Sequence, residues 1–138
     1  MKYFIYYSNS GNGDLIASKL KEKGYEISKV EPMKPLKKMG FFGILKYGGD
    51  AMFNKCMKIK PLNLNIKEDD EVVIGSPIWN DRLSTPINSV LKQYKFVEQT
   101  KFILYPAGKT TNKSLKQIAK QGYKGECIVI SYPKKNNR

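Results

Sequence analysis

Histidine is absent from this chain of 138 residues, and there are only two cysteines, Cys56 and Cys127. Histidine is the commonest general base and the commonest metal ligand, so its absence excludes Ser-His-Asp and Cys-His catalysis. Two cysteines without histidine make neither a zinc site nor a disulfide framework. Any redox chemistry must therefore be supplied by a bound cofactor.

Acidic residues are also scarce. The chain has 25 basic and 12 acidic residues, which gives a formal net charge of +13. The basic excess is concentrated in residues 34–60 and 101–138. Such a surface favours anionic partners, which include an acidic protein, a nucleic acid or a membrane surface. A solvated, lysine-rich surface without a specific partner explains the same composition equally well.

No apolar run approaches the roughly 20 residues that a membrane-spanning helix needs. The first residues, MKYFIYY, are too short for a signal peptide and precede no small-residue cleavage site. We therefore expect no membrane span and a cytoplasmic location. The length, with 41% hydrophobic residues, predicts a single domain over residues 1–138.

Short apolar runs alternate with amphipathic segments along the chain. Predicted strands cover residues 3–7, 25–30, 72–76, 101–105 and 127–131, and predicted helices cover 14–24, 85–94 and 112–122. For residues 31–65 we predict a loop with a broken basic helix, and for residues 77–84 a loop after the third strand. Alternating strands and helices indicate an α/β domain whose parallel sheet has right-handed crossovers.

The segment SNSGNG lies between the first strand and the first helix. A helix start offers unpaired N–H groups and the positive end of the helix dipole, which together attract phosphate. The segment lacks the lysine of a Walker loop, and Ile16 replaces the third glycine of GxGxxG. A plain turn capped by Asp14 is the alternative. The residues expected around a phosphate are Ser8, Asn9, Ser10, Gly11, Asn12 and Gly13.

The same segment resembles the phosphate loop of flavodoxins, which bind flavin mononucleotide (FMN). Ser8, Ser10, Gly11 and Asn12 match the flavodoxin pattern, whereas Gly13 stands where a hydroxyl residue is usual. This departure removes one side-chain bond to the phosphate but leaves the backbone amide. Asp14 would repel a phosphate if it pointed inward, so we expect it to point away.

A second segment, IGSPIWNDRLSTPINSVL, resembles the flavodoxin segment that covers the flavin ring after the third strand. Gly75, Ser76, Pro77 and Trp79 match, and Pro86 matches the start of the next helix. A flat, partly apolar ring needs an aromatic wall, and Trp79 is the only tryptophan. Packing of Trp79 against the rim of the domain is the alternative. The resemblance implies ring contacts from Ser76, Pro77, Ile78, Trp79, Asn80 and Arg82, and from Ala107, Gly108 and Lys109 in the following loop.

The two segments together imply a flavodoxin-like three-layer α/β sandwich with a five-stranded parallel sheet of order 2-1-3-4-5. FMN would bind between strands one and three. The implied function is FMN-dependent electron transfer with acidic redox partner proteins. A small FMN-dependent NAD(P)H or quinone oxidoreductase is the first alternative, and a flavin-less basic binding module is the second. Nucleic acid is the less expected partner. Flavodoxins usually carry a helix after strand five, which covers the sheet face beside the first helix and is missing here. Residues 36–57 or the second subunit of a homodimer would cover this face instead.

Overall fold

The structure is a computed structural model that describes residues 1–33, 57–106 and 111–131. Within these ranges lie strands β1 (Lys2–Tyr6), β2 (Glu26–Lys29), β3 (Glu71–Trp79), β4 (Arg82–Leu83), β5 (Lys101–Pro106) and β6 (Cys127–Val129), and helices α1 (Asn12–Glu22), α2 (Thr85–Gln93) and α3 (Asn112–Lys120). The broken helix expected within residues 31–65 falls largely on residues 34–56, outside the described residues.

Five parallel strands form the sheet in the order β2-β1-β3-β5-β6. This confirms the predicted order 2-1-3-4-5, because β5 and β6 are the fourth and fifth parallel strands. The short strand β4 pairs antiparallel with the end of β3. Since the five strands run in the same direction, their carboxyl ends lie at one edge of the sheet.

Side chains alternate between the two faces of the sheet and build two hydrophobic clusters. Phe4 and Tyr6 of β1 face α1 and pack with Ile16, Ile103 and Tyr105. The opposite face packs against α2 and α3, and its largest fully buried members include Ile5, Ile74, Leu83, Ile87, Phe102, Leu104 and Ile118. The result is the three-layer arrangement that the sequence predicted.

Glycines mark the ends of helices where the backbone turns left-handed. Gly24 follows α1 with φ of 89°, and Gly122 follows α3 with φ of 92°. Glycine adopts this conformation without steric cost, so it ends a helix readily. The predicted helix stops at these two residues are confirmed.

The prediction of a loop over residues 77–84 is wrong, because this segment is a β-hairpin. Strand β3 continues through Trp79, which pairs with Arg82 across a two-residue turn. The turn residues Asn80 and Asp81 have φ values of 50° and 64°. Asparagine and aspartate tolerate this conformation, which the tight turn of a hairpin requires.

An apolar groove of about 210 Å³ lies between α1 and the β5–β6 edge. Its lining residues are Leu15, Ile16, Lys19, Leu20, Lys23, Ile103 and Ile130. The groove lies on the α1 face of the sheet, and a homodimer that covers this face stays a prediction. None of the helices in the described ranges is long and apolar enough to cross a membrane.

Candidate functional site

The two segments singled out in the sequence meet at the carboxyl edge of the sheet. The first follows β1 and the second ends β3, and these strands are direct neighbours. The rings of Tyr7 and Trp79 lie edge to face, with centroids 6.0 Å apart and planes at 86°. Both segments therefore border the ends of β1 and β3.

Backbone amides converge on one oxygen in the loop between β1 and α1. The buried Ser8 Oγ accepts hydrogen bonds from the amides of Gly11 (3.2 Å) and Gly13 (3.0 Å). Gly11 has φ of 89°, which turns the chain into the helix. Amides that point at a common position at a helix N-terminus form an anion site. In this structure the Ser8 hydroxyl occupies that position and satisfies both amides.

Three further polar residues belong to the same loop. Asn9 and Ser10 are exposed and Asn12 is half-buried. None of the three side chains hydrogen-bonds to another residue within the described ranges, so each can donate to a ligand. These donors and the converging amides suit a phosphate group chemically.

Gly13 departs from the flavodoxin pattern because the space beside it is occupied. A Cβ there would lie 2.6 Å from the Tyr105 hydroxyl oxygen and 2.8 Å from the Cβ of Ser8. It would also lie 2.9 Å from Cδ2 of Tyr6. A larger residue at position 13 therefore cannot fit without displacing the loop.

The Tyr105 hydroxyl makes a hydrogen bond in place of one that the sheet backbone cannot make. The register pairs Tyr6 with Gly75, and the Tyr7 amide donates to the Gly75 carbonyl at 3.2 Å. The next bond of a parallel ladder would run from residue 77 to the Tyr7 carbonyl, but Pro77 has no N–H. The Tyr105 hydroxyl donates to that carbonyl instead. Burial raises the pKa of Tyr105, with Tyr6 and Asp14 adding to the shift, so the hydroxyl keeps its proton.

Asp14 is the one acidic residue in the first turn of α1. Its Oδ1 accepts a hydrogen bond from the Tyr6 hydroxyl at 2.7 Å and lies 2.8 Å from Lys29 Nζ. Burial, followed by the hydrogen bond to Asp14, raises the pKa of Tyr6, so this hydroxyl also remains a donor.

Several matched residues of the second segment have packing roles. Ser76 Oγ donates to the Pro77 carbonyl at 2.8 Å and accepts from the Ser84 amide at 3.1 Å, which ties the hairpin to the start of α2. The Ile78 side chain lies in the core. A Cβ at Gly75 would lie 2.6 Å from Cζ of Phe4, so glycine is required by packing there.

The tip of the hairpin carries the remaining candidates. Trp79 and Arg82 are half-buried, and Asn80 is exposed. Asp81 was not predicted, since an aspartate in an Asn-Asp turn has an ordinary turn role. Its Oδ2 accepts from the Lys113 amide at 3.2 Å, while its buried Oδ1 has no hydrogen-bond partner among the described residues. Ala107, Gly108 and Lys109 lie outside the described residues.

Comparison with known proteins bears on the fold. No family model matches the chain, and no curated protein matches it. A flavoprotein from Lactobacillus acidophilus, solved in complex with FMN, superposes with a TM-score of 0.71 at 21% identity, over 94% of this chain and 91% of that chain. The fold is flavodoxin-like.

Two further solved structures agree with this flavodoxin-like fold. A Bacteroides eggerthii protein assigned as a flavoprotein has a TM-score of 0.67 at 20% identity, over 94% of this chain and 87% of that chain. A Bacteroides uniformis protein with the same assignment has a TM-score of 0.66 at 13% identity, over 99% of this chain and 97% of that chain. In such a fold the ligand crevice lies at the switch point beside β1. At this point the connection from β1 leads to β2 on one side of it, and the chain then returns to form β3 on the other side.

Proposed function

We propose that this chain binds FMN between the carboxyl ends of β1 and β3 and acts as a flavodoxin-like electron carrier. The observation that carries the proposal is the convergence of the Gly11 and Gly13 amides on one oxygen position at the start of α1. This anion site lies at the switch point of a flavodoxin-like sheet. The similarity in fold to a flavoprotein solved with FMN supports the same conclusion.

The residues divide into two groups in this proposal. The amides of the loop, with Asn9, Ser10 and Asn12, hold the phosphate, while Tyr105 keeps the loop backbone in place. Trp79 and Pro77 form a wall for the ring, and Arg82 and Asp81 provide polar groups beside it. The cofactor itself supplies the electron chemistry, and the protein supplies orientation and electrostatics.

The charge of the protein selects its partners and tunes the cofactor. With a net charge of +13, we expect acidic redox partner proteins to associate fastest. The reduced cofactor is negatively charged, and the cationic Arg82 and Lys109 are expected near its ring, Lys109 from outside the described residues. We therefore propose a reduction potential above that of acidic flavodoxins. The cytoplasmic location and a homodimer are further parts of this proposal.

The test uses the purified protein with its cofactor. We expect flavin absorbance bands, anaerobic reduction by dithionite, and rapid reoxidation by ferricyanide, whose charge matches the basic surface. Slow NAD(P)H consumption, at or below the rate of free FMN, identifies a carrier. Catalytic NAD(P)H turnover contradicts the carrier role and favours the oxidoreductase alternative. Failure to bind FMN favours the flavin-less basic module.

A further inference from the structure

The position of Asp14 presents a problem for phosphate binding. Asp14 lies in the first turn of α1, next to Gly13, whose amide points at Ser8 Oγ. A carboxylate there and a phosphate both seek the positive end of the helix dipole. An inward-facing Asp14 would repel a phosphate dianion, so the direction of this side chain decides whether the loop can bind one.

Tyr6 and Lys29 both contact this carboxylate. Asp14 Oδ1 receives the Tyr6 hydroxyl at 2.7 Å and the Lys29 ammonium at 2.8 Å. Lys29 Nζ also lies 6.0 Å from the centre of the Tyr6 ring, so the three side chains form one cluster. Tyr6 and Lys29 are register partners on adjacent strands.

The sheet order places Lys29 on the far side of β1 from the end of β3. Lys29 is on β2, and β2 and β3 flank β1 on opposite sides. The crevice lies between β1 and β3, so the carboxylate is drawn away from it. We propose that Tyr6 and Lys29 are positioning residues that hold Asp14 on the β2 side and balance its charge, so that the loop accepts a phosphate monoester. This inference rests on the proposed function.

The tyrosine is the stronger of the two restraints. The Lys29 and Asp14 side chains are 41% and 45% exposed, and such surface ion pairs contribute little by themselves. Tyr6 is only 4% exposed, so its hydroxyl is held in place by packing. Loss of this hydroxyl should let the Asp14 side chain change rotamer toward the loop.

A matched cluster elsewhere in the sheet provides the control. The Tyr25 hydroxyl donates to Glu71 Oε2 at 2.5 Å, and Lys101 Nζ lies 3.2 Å from Glu71 Oε1. This cluster contains the same kinds of groups, but Glu71 begins β3 and thus lies at the opposite edge of the sheet from the loop. A variant here changes a tyrosine–carboxylate contact without touching the proposed phosphate site.

The experiment compares FMN with riboflavin, which has the same ring but no phosphate. Dissociation constants are measured on the apoprotein for Tyr6→Phe and for the control Tyr25→Phe. We expect Tyr6→Phe to weaken FMN binding about tenfold while riboflavin binding stays within about twofold. Adding Asp14→Asn to Tyr6→Phe should restore FMN binding, and Tyr25→Phe should change neither constant.

A second variant serves in case Tyr6→Phe folds poorly. Lys29→Gln, at a half-exposed site, should lower FMN affinity more than riboflavin affinity, and Asp14→Asn should again reverse the effect. Its control is Lys60→Gln, which breaks the more exposed surface pair with Glu31.

The outcomes separate this inference from the function on which it rests. Equal losses for FMN and riboflavin, or no recovery with Asp14→Asn, overturn the role of the cluster alone. A wild-type protein that binds neither flavin overturns the proposed function, and this inference with it.

Discussion

The hydroxyl of Tyr105 occupies the space into which a side chain at position 13 would extend, since a Cβ on Gly13 would lie 2.6 Å from it. The same hydroxyl donates to the Tyr7 carbonyl, which Pro77 leaves without its ladder partner. A proline on β3, a tyrosine on β5 and a glycine in the loop are therefore parts of one arrangement. This arrangement explains why the loop lacks the usual third hydroxyl residue.

Replacing Gly13 tests this arrangement. Gly13→Ala should destabilise the protein by about 1–3 kcal/mol, because the added methyl group overpacks a filled space. Urea unfolding measures the loss. In Gly13→Ala/Tyr105→Phe the closest contact is removed, so the combined cost should be smaller than the sum of the two single variants. Simple additivity would show that Tyr105 does not restrict position 13.

The two loop serines should respond differently to truncation. Ser8→Ala removes the acceptor of two amides and should cost about 1 kcal/mol of stability. Ser10 is exposed, so Ser10→Ala should leave stability within about 0.5 kcal/mol. It should nevertheless weaken FMN binding about tenfold through the loss of a phosphate contact. Chemical unfolding and flavin titration of both variants decide the matter, and unchanged FMN binding in Ser10→Ala would remove Ser10 from the site.

Trp79 should contribute to binding of the flavin ring and not to binding of the phosphate. We expect Trp79→Ala to weaken FMN and riboflavin equally, by about tenfold, because both share the ring. Trp79→Phe, which keeps an aromatic wall, should retain most of the affinity. Quenching of flavin fluorescence measures the dissociation constants of both variants for FMN and for riboflavin. Unchanged affinities in Trp79→Ala would show that the tryptophan only packs against Tyr7 at the rim.

Stability should depend on pH through Glu71. The hydrogen bond from Tyr25, followed by Lys101, lowers the pKa of Glu71 in the folded state. Because the pKa of Glu71 is lower in the folded than in the unfolded state, where it is about 4.3, its ionised carboxylate stabilises the folded protein above that pH. This stabilisation is lost as the pH falls through the pKa of the folded state. The urea midpoint of wild type should therefore exceed that of Glu71→Gln at pH 7, and the difference should shrink below about pH 4. A difference that stays constant with pH would contradict this account.

Local patterns were sufficient to predict the sheet. Apolar runs such as residues 3–7 and 101–105, separated by helices that stop at Gly24 and Gly122, specify parallel strands with little ambiguity. The hairpin at residues 77–84 was not predictable in the same way. Its pairing depends on the contact of β3 with β5, which continues to Ile78 after β1 has ended. Pro77 is tolerated because its missing N–H faces the side where β1 has stopped.

The site was predictable as a place in the fold and less so as a set of contacts. The resemblance to flavodoxins placed both segments at neighbouring strand ends, because it implies the strand order. It could not show that Ser76 is buried in a network with Ser84, or that Tyr105 contacts the loop from β5. These contacts join residues far apart in the chain, and no local pattern encodes them. The contact of Asp81 with the Lys113 amide at the start of α3 is a further example.

The most direct test of the central claim is a titration of the apoprotein with FMN, followed by tryptophan fluorescence. The chain has a single tryptophan, Trp79, so the signal reports on the hairpin beside the crevice. We predict saturable quenching with one FMN per chain, together with flavin absorbance bands that stay with the protein on gel filtration. Linear, non-saturating quenching with no retained flavin would contradict FMN binding at the ends of β1 and β3.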